Sequence, residues 1–233
     1  MCRIIWQEGT RAVTATAHQN KSWPLNRPDR IREAAKKLQT QLSEMQIPLE
    51  IHASSEVMVS TDLEEAWHRG DLLSVADTGK YLLLEMPHNL FVDLQSTIDR
   101  FVQAGIHPIL AHPEQCPELL HDPERLESWV NRGCFVQVSS GNITKPSSST
   151  DLRALRYWIE QGLVHLIGSD GHSPRRRLPR LHQAVQTISQ WGGPRLAHDI
   201  AVHNGRRVIE GKPIAARMVA QLPEKRPWYK RFW

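Results

Sequence analysis

The chain has 233 residues, 40% of them hydrophobic, enough to bury one sizeable core and so to predict a single domain. Its 29 basic residues against 25 acidic ones leave a formal charge of +4, too small an excess to point to nucleic acid. Three scattered cysteines without CxxC spacing argue against a zinc–thiolate site and for a reducing, cytoplasmic setting, and no apolar run approaches the ~20 residues of a membrane-spanning helix.

In chain order, short β-branched runs alternate with segments of helical period. A strand is expected over 12–16. Ile31, Ala34, Ala35, Leu38, Leu42 and Met45 then recur on one helical face, with Pro28 in the opening turn, where its missing N–H costs little. Further strands are expected over 49–53, 81–84, 107–111, 134–138 and 164–168. Between them fall helical stripes at Leu94, Ile98, Phe101 and Val102, and at Leu126, Trp129 and Val130. The serine-rich stretch 147–150 reads as a loop capping the next helix, and Leu181, Val185 and Ile188 mark a last helix with Pro179 as its first residue. Strands alternating with covering helices imply a parallel sheet, open or closed into a barrel. The barrel is expected over 1–214, and 215–233, which mixes cations with aromatic residues, reads as a solvated tail, with docking on an anionic surface or a partner as the alternative.

The residues able to bind metal fall at strand ends. His18 follows the first run, Glu56 the second, Glu85 and His112 close the next two, and Asp170 with His172 follow the last. In a parallel barrel the C-terminal strand ends converge on one face, where such folds place their sites. A lone histidine among 12 is more often a surface or hydrogen-bonded residue, and Glu85 alone reads as well as a salt-bridge carboxylate; the shared position gives the set its weight. Imidazole with carboxylate suits Zn²⁺, Mn²⁺ or Fe²⁺, and a carboxylate such as Glu56 can bridge two ions. The arginine run 175–177 lies just beyond, where a guanidinium can fork onto a phosphate. A cysteinyl-phosphate route is excluded, because the residues six positions after the cysteines are Glu8, Asp122 and Ser140 rather than arginine.

The segments TATAHQN, SSEV, KYLLLEMP, PILAHPE, GCFVQVSSGNIT and GSDGHSPRRRLP resemble, in order, the motifs of the polymerase-and-histidinol-phosphatase superfamily. More narrowly, the chain is similar to the metal-dependent bacterial tyrosine phosphatases that regulate capsule and exopolysaccharide synthesis. The resemblance implies a distorted parallel (β/α) barrel binding up to three divalent ions, usually Mn²⁺. It implies a phosphotyrosine-bearing bacterial tyrosine kinase as substrate. It also implies His18, Glu56, Glu85, His112, Asp170 and His172 as metal ligands and Arg177 as the catalytic, phosphate-binding arginine.

Two departures accompany the resemblance. The family's first strand carries an Asp-x-His-x-His motif that nothing in this chain matches, so Met1 is expected to lie inside the first helix, with the first strand missing. Gln115 stands where the family has an arginine that contacts substrate phosphate, and Gln brings no charge. The expected chemistry is in-line attack on a phosphomonoester by a metal-activated water. The alternatives are a histidinol-phosphatase-like esterase using the same ligands and a catalytically degenerate binding protein of the same fold.

Overall fold

The computed structural model describes residues 1–88 and 90–215. Six strands, β1 (Ala12–Gln19), β2 (Glu50–Met58), β3 (Tyr81–Glu85), β4 (His107–Ala111), β5 (Phe135–Ser139) and β6 (Leu166–Gly168), form one parallel sheet in sequence order, curled into a half-barrel. The helices are α1 (Cys2–Gln7), α2 (Pro28–Glu44), α3 (Leu63–His68), α4 (Gln95–Gln103), α5 (Pro117–His121), α6 (Pro123–Asn131), α7 (Ser140–Thr144), α8 (Ser149–Glu160), α9 (His182–His198) and α10 (Asn204–Ile209). The strands at 81, 107, 134 and 164 are found within two residues of their expected starts. The expected 215–233 tail, apart from Ala215, lies outside the described residues.

Side chains alternate faces along a strand, and here both faces are buried, as a parallel sheet requires. On the convex side Leu82, Leu84, Leu110, Val136 and Val138 pack under Ile98, Phe101, Leu126, Trp129, Leu155, Trp158 and Ile188 of the covering helices. On the concave side Tyr81, Leu83, Ile109, Phe135 and Leu166 form a second cluster, plugged by Val208 of α10 and by Ile214. A small third cluster, Leu42, Ile47 and Leu49, lies where α2 meets β2. The concave row is the one that matters for chemistry, because continuing its parity past Leu83 reaches Glu85, and Glu56 is in register with Leu83.

Three sequence expectations are corrected. Ala34 and Met45 are exposed, Met45 at 62%, because α2 covers only the β1–β2 end of the sheet and buries the narrow stripe Ile31, Ala35 and Leu42. The helix expected to start at Pro179 is α9 and begins at His182, Pro179 being buried in the preceding loop, and a further helix, α10, follows it. β1 and β2 run longer than their apolar cores, so His18 and Glu56 lie inside the strands rather than after them. These polar residues face one another across the strands, a pairing that periodicity of hydrophobicity cannot register.

Ser148 caps α8, its hydroxyl accepting from the Asp151 amide at 3.1 Å. α9 kinks at Gly193, whose φ of 87° suits glycine alone, with Pro194 restarting the helix. Leu84 is fully buried, so Leu84→Ala is expected to cost about 2–5 kcal/mol, against about 1 kcal/mol for Ser148→Ala. Urea unfolding of the two variants checks the order; equal losses contradict the placement of the core.

Candidate metal centre and active site

Four side chains from four adjacent strands meet at the C-terminal lip of the concave face. His18 sits opposite Glu56 in the β1–β2 register, and Glu85 ends β3. His112 follows β4 with φ of 34°, a left-handed conformation held by its own amide donating to the Gln137 carbonyl at 2.7 Å. That turn aims its ring back over the sheet. His112 Nε2 lies 3.0 Å from Glu56 Oε1 and 3.8 Å from Glu85 Oε1, while His18 Nδ1 lies 3.3 Å from Glu56 Oε2 and 3.5 Å from Glu85 Oε2.

Both carboxylates are buried, Glu56 to 8% and Glu85 to 4% exposure. Burial pushes the Glu56 carboxyl up, yet the hydrogen bond and charge of His112, with His18 and His172 adding to them, hold it below the ordinary carboxylate range. Burial likewise pushes His112 down, and the Glu56 hydrogen bond with the charges of Glu56, Glu114 and Glu85 overrides it and raises the imidazolium.

His18 Nδ1 and Glu85 Oε2 are buried and make no hydrogen bond, although they stand at ion-pair distance. Side-chain donor atoms of His18, Glu56 and Glu85 all fall within 4.8 Å of one another. An ion bonded to nitrogen and oxygen at about 2.0–2.2 Å leaves its ligands roughly 3–4 Å apart, the spacing seen here. Two desolvated carboxylates beside two imidazoles are a donor set that fits a divalent cation, which would satisfy the orphaned atoms.

Asp170 and His172 come from the loop after β6. The strand ends at Gly168 and Asp170 has φ of 48°, so the expected two-residue strand spacing does not carry through. Asp170 instead pairs with the Arg177 guanidinium and lies 3.5 Å from His172 Nδ1. The two halves of the site meet through His18 and His172, whose rings are 6.3 Å apart. His172 N donates to the Arg177 carbonyl at 3.0 Å, closing the loop, and Gly171 packs so tightly that a Cβ there would sit 2.7 Å from Pro179 Cβ. Among the described residues, three of the six non-glycine residues of positive φ, His112, Asp170 and Arg177, fall in these site loops, where such strain is often held. Gln115 is exposed in the turn after His112, its amide bonded to the His112 carbonyl at 2.9 Å.

Two residues passed over in the sequence tie these loops together. Glu114, 5% exposed, accepts from the Ser139 amide at 2.7 Å and from Asn142 Nδ2 at 3.0 Å, and burial raises its carboxyl above the ordinary range against those bonds. Ser140 donates to the Arg180 carbonyl at 2.7 Å. The β4, β5 and β6 loops are therefore cross-linked by buried polar bonds. The only sequence signal for Glu114 was its place in PILAHPE.

The fold and donor set define a class, a parallel α/β half-barrel carrying a carboxylate–imidazole centre at its C-terminal lip. The family described as capsular polysaccharide synthesis, CpsB/CapC, matches residues 1–210, and the chain belongs to it. Among curated relatives it is 30% identical over 210 residues to the tyrosine-protein phosphatase YwqE of Bacillus subtilis (strain 168), covering 85% of this chain and 78% of that one. It is 25% identical over 210 residues to the tyrosine-protein phosphatase CpsB of Streptococcus pneumoniae, covering 88% and 86%. It superposes, with a TM-score of 0.87 and 28% identity over 97% of this chain and 90% of the other, on a chain from crystal structures of YwqE and CpsB, described there as unique metal-dependent tyrosine phosphatases.

The cysteines take no part in this centre. Cys134 is fully buried and its thiol is pushed up to about 12, leaving on the order of 10⁻⁴ as thiolate at pH 8. Cys134 is expected to resist alkylation in the native protein and to react once the chain is unfolded, while Cys2, which is only partly buried, reacts in the native state. Mass spectrometry after iodoacetamide treatment reads this directly, and native labelling of Cys134 contradicts it.

Proposed function

We propose that the protein is a metal-dependent tyrosine phosphatase acting on an autophosphorylated bacterial tyrosine kinase that controls capsule or exopolysaccharide synthesis. The carrying observation is the buried cluster of His18, Glu56, Glu85 and His112, with its unsatisfied donor atoms, in a chain of the CpsB/CapC family. The reading takes these four with Asp170 and His172 as metal ligands; three imidazoles with three carboxylates are compatible with Mn²⁺, Zn²⁺ or Fe²⁺, and the family resemblance favours Mn²⁺. Free cysteines support a cytoplasmic setting, and among the described residues no helix is long and apolar enough to cross a membrane.

Bound divalent ions supply Lewis-acid polarisation of a phosphoryl oxygen and acidify a water enough for attack near neutral pH. The protein's own contribution is positional. Glu56, with one carboxylate oxygen toward His18 and the other toward His112, would help hold the metal there. The Arg177 guanidinium, half-exposed and already oriented by Asp170, offers its outer edge to phosphoryl oxygens, and the exposed Gln115 side chain, in the turn after His112, offers one neutral hydrogen bond. The tyrosine ring of the substrate stays outside, since the concave interior below the ligands is filled by Leu83, Ile109 and Phe135.

His112→Ala and Asp170→Ala are each expected to lower phosphotyrosine-peptide turnover at least ~100-fold in manganese while shifting the melting temperature little, because the ligands lie at the lip and not in the convex core. Metal per chain, turnover and melting temperature, measured together, decide it; undiminished turnover in either variant removes the assignment. Histidinol phosphate assayed alongside separates the neighbouring esterase reading, and little stoichiometric metal with no turnover of either substrate would indicate a degenerate binding protein.

Gln115→Arg adds a charge beside the phosphate and is expected to lower KM by an amount equivalent to about 1–3 kcal/mol with kcat little changed. An unchanged KM means that position 115 does not face the substrate.

A further inference from the structure

The mouth of the site is framed by two loops that the catalytic reading leaves unused. One joins the end of β1 at Gln19 to α2 and the other joins β6 to α9 around His172, and the 6.3 Å approach of the His18 and His172 rings brings the loops to the same opening.

The β1 loop is held at its neck by a buried side-chain clamp. Gln19, 7% exposed, donates through Nε2 to the carbonyls of Asn26 at 2.8 Å and Asp71 at 3.0 Å, and its Oε1 accepts from the Leu73 amide at 2.9 Å. Asn26 Nδ2 returns a bond to the His18 carbonyl at 2.8 Å. Within the loop, Ser22 N donates to Asn20 Oδ1 at 2.8 Å and Asn26 N to the Trp23 carbonyl at 3.0 Å. A segment bound this firmly still holds Trp23 at 56% and Leu25 at 65% exposure. Large apolar side chains kept in water by a pre-ordered loop mark a contact surface.

The β6 loop carries the complementary feature. Ser173 Oγ accepts from the amides of Arg175 at 3.3 Å and Arg176 at 2.8 Å, building a tight turn that presents both side chains to solvent. Neighbouring charges are already compensated: Arg177 pairs with Asp170, Arg180 with Glu8, Arg27 with Asp29 and Arg69 with Asp71. Among the described residues Arg175 and Arg176 make no side-chain ion pair or hydrogen bond, so their two charges stand uncompensated at the opening.

Resting on the phosphatase reading above, we propose that Trp23 and Leu25 on one side and Arg175 and Arg176 on the other form the docking rim for the segment flanking the phosphotyrosine, selecting substrates with acidic residues beside it. The apolar ledge takes aliphatic or ring carbon of the substrate chain, and the guanidiniums take its carboxylates. Nothing in this rim touches the transferred phosphoryl group, so it governs peptide capture and not the chemical step.

The test uses the full chain loaded with Mn²⁺ and three phosphotyrosine peptides identical except for acidic, neutral or lysine flanks, with p-nitrophenyl phosphate as a substrate that has no flanks. The acidic peptide is expected to exceed the lysine peptide about tenfold or more in kcat/KM at low salt, with the gap shrinking in 0.5 M NaCl. The Arg175→Ala/Arg176→Ala double variant should bring the three peptides within about twofold of one another. Trp23→Ala should raise KM for all three severalfold. Neither change should alter hydrolysis of p-nitrophenyl phosphate, and anisotropy of the labelled acidic peptide should give the same order of affinities independently of turnover. Hydrolysis of all peptides without discrimination, or a preference that survives the double variant, overturns the proposal alone; an unchanged KM in Trp23→Ala removes the aromatic half of the rim. Absence of hydrolysis on every substrate overturns the phosphatase reading and the proposal with it. Sedimentation with phosphatidylglycerol vesicles, or a dimer, that depends on these side chains while peptides bind indifferently assigns the rim to a membrane or a second copy and likewise overturns it.

Discussion

The organising constraint is the confinement of two carboxylates, Glu56 and Glu85, out of water within reach of the same two imidazoles. Strand alternation forces it: both side chains share the concave row with Leu83, and moving either by one residue would send it into the convex core among leucines. Burying a charge without compensation costs several kcal/mol, so the neighbourhood must supply positive charge or a cation. His18 and His112 answer part of that demand, and the left-handed turn at His112 exists to bring its ring over the sheet instead of letting it follow the chain away. The cross-linked loops around Glu114 and Ser140 hold the remaining groups to the geometry this cluster sets.

Much of this was legible because the strands carry their signals locally. Tyr81 to Leu84 and His107 to Ala111 are short, apolar and bounded by turns, and each terminates at a residue whose chemistry differs from the run before it. The convergence of Glu85 and His112 followed from a rule about parallel sheets and needed no coordinates. What escaped were features defined by partners far along the chain. Glu114 reads as an ordinary surface carboxylate until Ser139 and Asn142 are brought to it, and Gln19 is one more polar residue after a strand until Leu73 and Asp71 arrive. The end of β1 was misplaced for a related reason. His18 turns toward Glu56 and Glu85, while Gln19, the next residue and so on the other face, is buried against Asp71 and Leu73, and hydrophobic periodicity treats two polar strand residues as a loop.

The two faces of the sheet divide the labour of the molecule. The convex face, with its tryptophans and leucines under helices, carries the stabilising burial, and the concave face carries a shorter apolar plug below a polar lip. This division allows the lip to hold strained backbone at three positions without endangering the fold, since the strain sits on loops anchored to strands that are secured from the other side.

The sequence order of the strands, β1 beside β2 and so on to β6, has a bearing on how the chain acquires its centre. Each strand adds next to the one made before it, so the sheet can grow from neighbouring contacts as the polypeptide emerges from the ribosome, with little long-range search. The centre cannot grow that way. Its members span the chain from residue 18 to residue 172, and the approach of His18 to His172 requires the nascent sheet to have curled until its first and last strands overlook the same space. Bringing the two halves of the lip together is therefore coupled to the final curl, and no intermediate that stops short of residue 172 can assemble both.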